Sequence, residues 1–204
     1  MIQFYSGTPG SGKSLHMAKD IYWYANMKKE KLIITNFEVD VSRLKNPDRV
    51  VMLDNKQLKH PDILYDLAYD FNGVYGLKEN NIILMIDEAQ LLFNARTWNE
   101  VGRDQWLVFF TQHRKLGFMV ILSAQFDGMI DKQIRALIEY QTIHRKCSNY
   151  GLYGLFLKLF CFGQDLFVGV ETWYQLKERT NLSFYFARKK YYSLYDTYNL
   201  FSEK

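Results

Sequence analysis

An eight-residue motif near the start of the chain restricts its possible folds more than any other feature. Residues 7–14 read GTPGSGKS, which fits the pattern G-x-x-x-x-G-K-[ST] at every fixed position. The apolar run 2–6 before it predicts a strand, and the helical periodicity of 13–27 after it predicts a helix. A strand, a glycine-rich loop and a helix in this order form a phosphate-binding loop, because N–H groups at the helix start face the anion.

The residue types in this motif indicate which groups meet a bound nucleotide. The Lys13 ammonium would reach the β- and γ-phosphates, and the Ser14 hydroxyl would ligate Mg²⁺. A dinucleotide-binding fingerprint does not fit, because the pattern G-x-G-x-x-G would need glycine where Leu15 stands. We therefore expect the phosphates to be held by Gly7, Thr8, Pro9, Gly10, Ser11, Gly12, Lys13 and Ser14.

Two carboxylates follow an apolar run later in the chain. Residues 82–88 read IILMIDE, and a continuous apolar run is typical of a central parallel strand. Asp87 then lies where a phosphate-loop protein holds the Mg²⁺ shell, and Glu88 is placed to orient or deprotonate an attacking water. An Asp-Glu pair is also compatible with a helix N-terminus, where acidic side chains meet the helix dipole favourably. The preceding strand favours the catalytic interpretation.

Further polar residues are weaker candidates for the same site. Gln125 follows the predicted strand 118–123, where it could hydrogen-bond the γ-phosphate or the lytic water; the alternative is an ordinary polar residue at a strand end. Arg114, Arg135 and Arg96 are candidates for an arginine that stabilises transition-state charge on a neighbouring subunit's nucleotide. We expect Arg114 near the nucleotide-bearing edge of the sheet. A surface salt bridge is the alternative for each arginine, and the four histidines, which lack metal-ligand spacing, are expected to be structural.

Alternating strand and helix signals predict the α/β fold class. The predicted strands are 2–6, 32–35, 50–53, 82–86, 118–123 and 139–146, and the predicted helices are 13–27, 104–116 and 131–138. In the second helix the side chains of Trp106, Phe109, Phe110 and His113 share one face, and Gly117 is the stop signal. This alternation indicates a mainly parallel sheet flanked by helices.

Aromatic content rises near residue 150. Sixteen aromatic residues fall in the 55 positions 150–204, against eighteen in the first 149. We therefore predict a nucleotide-binding core at 1–149, and an aromatic, strand-rich extension packed on it at 150–204.

The apolar stretch 151–170 has the length of a membrane span but contains Lys158, Gln164 and Asp165. A charge near the bilayer centre costs about 2.5–3.5 kcal/mol. A buried hairpin is therefore expected, and a hairpin that contacts a membrane or a partner is the alternative.

Composition excludes several classes of protein. With 48% hydrophobic residues and a net charge of +4, the 204-residue chain is not intrinsically disordered. Cys147 and Cys161 form no CxxC pair, so neither a structural disulfide nor a zinc site is expected and a reducing compartment is favoured. The first ten residues, MIQFYSGTPG, contain neither a basic region nor a long apolar region, so they are not expected to be a secretory signal. The basic balance permits a nucleic-acid or anionic-lipid partner without requiring one.

These motifs together resemble the zonula occludens toxin-like (Zot) family, the inner-membrane assembly ATPases of filamentous phages within the FtsK/HerA-like P-loop group. The matching segments, in order, are GTPGSGKS at 7–14, LIITNFEV at 32–39, IDEAQ at 86–90, TQHRKLGFMVILSAQ at 111–125, IDKQIRAL at 130–137 and YYSLYDT at 191–197. The first and third are shared by many P-loop ATPases, whereas the histidine-arginine block and the isoleucine-arginine helix are more specific to this family.

The resemblance implies a RecA-like core and a motor that uses ATP and Mg²⁺ to assemble or export phage particles through the cell envelope. It also implies a homo-oligomeric ring, envelope or phage assembly proteins as partners, and a position at the cytoplasmic face of the membrane. By this resemblance, Lys13 and Ser14 correspond to the phosphate loop, and Asp87 and Glu88 to the acidic pair. The later motifs contribute three further residues to the implied site: Gln125, Arg114 and Arg135. The toxin label belongs to another segment of the family, so no toxin activity is expected. Many members also carry a membrane helix after the ATPase domain, and none is evident in the sequence up to Lys204. Two explanations stay open: the chain is an ATPase domain cut short, or membrane attachment comes from a partner or from the hairpin 151–170.

Three other functions remain compatible with the residues. A DNA-translocating packaging ATPase of the same superfamily would bind DNA with a steep salt dependence. A nucleotide-dependent structural partner of an envelope complex would show little turnover. A small-molecule kinase fits less well, because no arginine-rich lid is evident.

Overall fold

Eight strands form one sheet in the computed structural model, which describes residues 1–96, 102–149 and 164–195. The strands are β1 (Ile2–Ser6), β2 (Leu32–Thr35), β3 (Val50–Met52), β4 (Ile82–Ile86), β5 (Phe118–Ser123), β6 (Tyr140–Lys146), β7 (Leu166–Trp173) and β8 (Glu178–Phe186). The α-helices of the described ranges are α1 (Lys13–Asn26), α2 (Asp62–Tyr75), α3 (Arg103–Gln112), α4 (Lys132–Ala136) and α5 (Lys189–Tyr192).

The order of the strands brings the two predicted site segments to one edge of the sheet. The order is β3-β2-β4-β5-β1-β6-β7-β8; the first six are parallel, whereas β7 and β8 are antiparallel. Parallel strands share one direction, so the loop after β1 and the carboxylates after β4 leave the sheet at the same edge. Only β5 separates them, and its Leu122 is in register with both Phe4 of β1 and Ile86 of β4.

Helices cover both faces of the sheet. On one face α2, α3 and α4 pack on the strands, and on the other face lies α1. Successive residues of β4 alternate between the two cores: Ile82, Leu84 and Ile86 face the first, and Ile83 and Met85 face the second. Burial on both faces is the reason that this strand is a continuous apolar run rather than an alternating one.

The predicted elements of the first 149 residues are confirmed, with one omission. The α3 helix ends at Gln112 and a 3-10 turn continues it to Leu116, where Gly117 stops it at φ +84°. Helix α2 was not predicted. Its inner face consists of Leu64 and Ala68, while apolar side chains such as Val74 are exposed, so the apolar pattern does not mark a single face.

The C-terminal elements extend the sheet rather than forming a layer of their own. Strand β7 pairs with β6, and β8 pairs with β7. The division between 1–149 and 150–204 stays a prediction. Most of the predicted hairpin 151–170 lies outside the described residues, and the part within them belongs to β7. None of the helices in the described ranges is long and apolar enough to cross a membrane.

Candidate nucleotide-binding site

The predicted phosphate loop connects β1 to α1 at the carboxyl edge of the sheet. The Gly7 N–H donates to the carbonyl of Gln125 at 3.1 Å, which ties the start of the loop to the chain leaving β5. The Lys13 ammonium donates to the carbonyl oxygens of Gly7 at 2.8 Å and Thr8 at 3.4 Å. The lysine is therefore folded back over the loop that would surround the phosphates.

Strands β7 and β8 support the loop at Gly12. This residue has a φ of +96°, and a Cβ added there would lie 2.5 Å from the ring of Phe167. The hydroxyl of Tyr185 donates to the Gly12 carbonyl at 3.0 Å. Glycine is thus required both by the left-handed backbone and by the close aromatic ring.

The Asp87 carboxylate faces the loop from the end of β4. It accepts a hydrogen bond from the Ser14 hydroxyl at 3.1 Å and another from the Tyr195 hydroxyl at 3.0 Å, both at Oδ2. Asn36, which follows β2, holds the backbone of Asp87 in two directions: its Oδ1 accepts from the N–H at 2.7 Å, and its Nδ2 donates to the carbonyl at 2.9 Å. Two hydrogen bonds, one to the N–H and one to the carbonyl of Asp87, fix the direction of the buried carboxylate.

Glu88 leaves the strand in an uncommon conformation. Its backbone is left-handed, at φ +48° and ψ +47°, a region that non-glycine residues occupy rarely and often at functional sites. Its N–H donates to Asp87 Oδ1 at 3.0 Å, and its exposed carboxylate accepts from the side chain of Gln90. The turn thus directs Asp87 inward and Glu88 toward solvent.

The charges of Asp87 and Glu88 both affect the pKa of the loop lysine. Burial lowers the pKa of Lys13 from its ordinary value, while the charges of Asp87 and Glu88 oppose this effect. Burial and the Asp87 carboxylate raise the pKa of the Tyr195 hydroxyl, so that hydroxyl stays protonated and donates. The site therefore combines a cation, a hydroxyl and two carboxylates in one small region.

A pocket of about 190 Å³ opens beside these residues. It is bordered by glycines of the loop, by the first turns of α1 and by two tyrosines of the C-terminal segment; its lining is Gly10, Gly12, Lys13, Ser14, Leu15, Ala18, Tyr192 and Tyr195.

Gln125 lies next to the loop, as expected, since its carbonyl accepts from Gly7 N–H. Its side chain is exposed, and its role toward a phosphate or a water stays a prediction.

The expectation that Arg114 lies near the nucleotide-bearing edge is wrong. Its guanidinium pairs with Glu139, whose carboxylate also accepts from the Ile2 N–H at 3.0 Å, at the very start of β1. Arg114 precedes β5, and the whole length of that strand separates it from the loop edge. It forms the salt bridge that was the alternative, and its side chain is 55% exposed.

Arg135 lies in a different place. Its guanidinium is beside Gly128, in the turn that follows the carboxyl end of β5. Burial raises the pKa of Tyr174, and the charge of Arg135 opposes this rise. Arg96 is exposed, and its backbone N–H donates to Asn94 Oδ1. Of the two leading candidates, Arg135 is the one connected to the segment leaving the nucleotide edge.

A family model described as Zonular occludens toxin (Zot) matches residues 1–198 of this chain. The chain belongs to the Zot family. Among curated relatives, the Gene 1 proteins of Enterobacteria phages fd and M13 are each 30% identical over 160 residues, which covers 74% of this chain and 44% of the relative. The Gene 1 protein of Enterobacteria phage I2-2 is 28% identical over 155 residues, covering 72% and 40%. The chain thus spans less than half the length of these relatives.

Solved structures show the same fold. The N-terminal domain of zonular occludens toxin from Neisseria meningitidis is 21% identical, with a TM-score of 0.52 and coverage of 96% of this chain and 98% of that one. B204, the DNA-packaging ATPase from Sulfolobus Turreted Icosahedral Virus, is 17% identical, with a TM-score of 0.52 and coverage of 90% and 96%. The predicted RecA-like P-loop NTPase fold is confirmed.

Two residues that hold the Zot-family site were not recognised from the sequence. Asn36 lies in the LIITNFEV segment and Tyr195 in YYSLYDT, both of which carry the resemblance. The signal was present in these segments, but only the folded chain shows that both side chains meet Asp87.

A buried aromatic and histidine cluster lies beneath the loop. The Nδ1 of His16 and the Nε2 of His144 are 2.8 Å apart. The His16 ring stacks on Tyr5 and on Tyr185, each at 4.8 Å between centroids, and Tyr5 donates its hydroxyl to Asp20 at 2.9 Å. The cluster joins α1, β1, β6 and β8 directly under the phosphate loop.

Burial controls the protonation of this cluster. It lowers the pKa of His16 to about 3, with a further contribution from Lys19, and it lowers the pKa of His144 to about 3, with a further contribution from His16. Burial also raises the pKa of Asp20 to about 6, against the effects of Lys19 and of the Tyr5 hydroxyl. Both histidines are therefore neutral in the folded protein at neutral pH.

We expect the free energy of unfolding to fall as the pH is lowered from about 6.5 toward 4. In this range the unfolded chain protonates both histidines and the folded chain does not, so acid favours unfolding by about 1.4 kcal/mol per pH unit for each excess proton. Asp20 opposes this, because the folded chain retains its proton between about 4 and 6, but one group opposes two. Urea denaturation at a series of pH values measures the slope.

Substitution of one histidine of the buried pair tests this expectation. His144→Gln should reduce the pH dependence, because it removes one of the two groups that the unfolded chain protonates and the folded chain does not. Equal slopes for the wild type and the His144→Gln variant would contradict the assignment.

Proposed function

We propose that this chain binds Mg-ATP at residues 7–14 and hydrolyses it, as the motor that assembles or exports filamentous phage particles through the cell envelope. The observation that carries the proposal is the meeting of the Ser14 hydroxyl and the Asp87 carboxylate at 3.1 Å beside the buried Lys13 ammonium. Membership of the Zot family and the similarity to Gene 1 proteins of phages fd and M13 support the assignment to phage assembly.

The residues present fit a magnesium ion. Hydroxyl and carboxylate oxygens are the ligands that Mg²⁺ prefers, and it commonly takes few protein ligands together with phosphates and water. Ser14 and Asp87 supply this pair, and within the described ranges no cluster of three or more His, Cys, Asp or Glu forms a separate metal site. When bound, Mg²⁺ would neutralise charge on the β- and γ-phosphates.

The remaining groups have distinct roles in the proposed reaction. Lys13 binds the β- and γ-phosphates, and Glu88, exposed beside the site, accepts a proton from the attacking water. Gln125 follows β5 at the carboxyl edge of the sheet, beside the loop, and would orient that water from there. We further propose a homo-oligomer at the cytoplasmic face of the membrane, with envelope or phage assembly proteins as partners and an arginine supplied by the neighbouring subunit.

A DNA-translocating packaging ATPase is the second candidate. It is favoured by the fold shared with B204, which is described as a DNA-packaging ATPase, and by the net charge of +4. Stimulation of ATP hydrolysis by DNA, with a steep salt dependence, would favour this candidate over an export motor.

Mg-ATP should raise the melting temperature of the chain, and Lys13→Ala should abolish the rise. A ligand at about 100 times its dissociation constant adds roughly 2.7 kcal/mol of stability. The alanine variant loses the ammonium that pairs with the phosphates. Thermal denaturation with and without millimolar Mg-ATP tests this, and an unchanged wild-type curve would refute nucleotide binding at the loop.

Substitutions of the two neighbouring carboxylates should affect different steps, ATP binding for one and ATP hydrolysis for the other. Glu88→Gln should retain ATP binding but lower the hydrolysis rate about 10²-fold or more, because an amide has the same shape but cannot accept the proton. Asp87→Asn should instead weaken the Mg²⁺-dependent part of ATP binding. Phosphate release and equilibrium binding, measured for each variant, separate these effects. Hydrolysis by Glu88→Gln within a few-fold of wild type would remove Glu88 from the role of base.

Mixed oligomers should identify the arginine that acts between subunits. Mixing inactive Lys13→Ala chains with Arg135→Ala chains should recover ATP hydrolysis, because an intact arginine then faces an intact loop at some interfaces. The same mixture with Arg114→Ala should show no such complementation, since that variant alone should keep its activity and lose about 1 kcal/mol of stability or less. If the mixture with Arg135→Ala recovers no activity, Arg135 is not the arginine that acts between subunits. If Arg114→Ala is inactive alone and recovers activity in the mixture with Lys13→Ala, the role belongs to Arg114.

A further inference from the structure

The pocket beside the phosphate loop continues along α1 past the residues that would bind the phosphates. Beyond Ser14 it is lined by Leu15 and Ala18, which are three positions apart and lie on one side of the helix. The tyrosines Tyr192 and Tyr195 border the same pocket from the C-terminal segment. The pocket thus combines loop backbone and charge with aliphatic and aromatic side chains.

The C-terminal segment is held firmly against α1. The Tyr191 ring is buried and packs edge-on against Tyr22 at 5.5 Å between centroids, while the Lys190 ammonium lies 4.6 Å from the centre of the Tyr22 ring. Two residues beyond α5, Leu194 is 1% exposed and its carbonyl accepts from the Asp40 N–H at 2.9 Å. Helix α5 is therefore a support anchored to α1 through Tyr191 and, through Leu194 beyond it, to Asp40.

Tyr192 stands out on this support because it is 53% exposed, although its neighbour Tyr191 is buried. Its ring lines the pocket instead of packing into the core. The backbone N–H groups of a phosphate loop bind the α- and β-phosphates, so the nucleoside must leave the loop and needs an apolar surface nearby. Leu15 and Tyr192 form such a surface, whereas Ala18 is 0% exposed.

We propose that the part of the pocket formed by Leu15 and Tyr192 is the nucleobase subsite, where the base of the nucleotide stacks on the ring of Tyr192. The inference rests on the proposed function. Every base has an aromatic face, and among the described residues the pocket lining contains no carboxylate or side-chain amide to read the edges of a base. The subsite therefore separates nucleotides from bare polyphosphates but discriminates little between adenine and guanine.

Comparison of Mg-ADP with Mg-pyrophosphate isolates the contribution of the nucleoside, because both ligands carry two phosphates and neither is hydrolysed as ATP would be. Tyr192→Ala should raise the dissociation constant of Mg-ADP about 10-fold, a typical effect of removing a stacking ring, and leave that of Mg-pyrophosphate unchanged. Tyr192→Phe should bind ADP like the wild type, since the ring and not the hydroxyl carries the interaction. GDP should behave like ADP in all three proteins.

The matched control is Tyr69→Ala, at a 65% exposed tyrosine on α2, on the opposite face of the sheet. It should change neither dissociation constant. Isothermal titration calorimetry measures all of these values, and if Tyr192→Ala fails to fold, Tyr192→Leu gives the same comparison.

An ADP affinity within two-fold of wild type for the alanine variant would overturn the subsite, as would an equal loss for ADP and pyrophosphate, which would indicate a disturbed loop. A wild-type chain that binds pyrophosphate but not ADP would overturn the subsite while leaving the phosphate site intact. Binding of neither ligand would instead overturn the proposed function itself.

Discussion

The hydrogen bond between the Ser14 hydroxyl and the Asp87 carboxylate joins two segments that are 73 residues apart in sequence. It can form only because β1 and β4 run in the same direction and end at nearly the same level, each paired with β5 at Leu122. A shift of either strand by one residue would turn its side chains to the other face of the sheet and separate the two groups. The position of Ser14 relative to Asp87 is therefore set by the register of three parallel strands, β1, β5 and β4.

The support for this contact comes from outside the three strands. Asn36, at the end of β2, holds the Asp87 peptide from one side, and Tyr195, from the C-terminal segment, donates to its carboxylate from another. Because an Asp87 oxygen accepts from both Ser14 and Tyr195, the C-terminal segment is in direct contact with the residues that would hold the metal. A phosphate loop alone would lack this connection.

The contacts of the aromatic residues in the C-terminal part account for their abundance there. Phe167 and Tyr185 pack under Gly12, and Tyr185 continues into the stack with His16 and Tyr5. Flat rings fill the narrow space between the loop, α1 and the antiparallel strands, and a hydroxyl at the ring edge satisfies a buried carbonyl. The two neutral histidines complete this packing, and their burial makes the foundation of the loop sensitive to acid.

The sequence by itself determined the features that depend on neighbours along the chain. Glycine spacing in 7–14 specified the loop, uninterrupted apolar residues in 82–86 specified a strand buried on both faces, and their order specified a parallel α/β sheet. Tertiary structure decided the rest, because the remaining contacts join residues from 25 to 108 positions apart. It placed Arg114 at the far edge of the sheet, beside Glu139, and it brought Tyr195 to Asp87. No local pattern encodes such distances, since they follow from the order and direction of the strands.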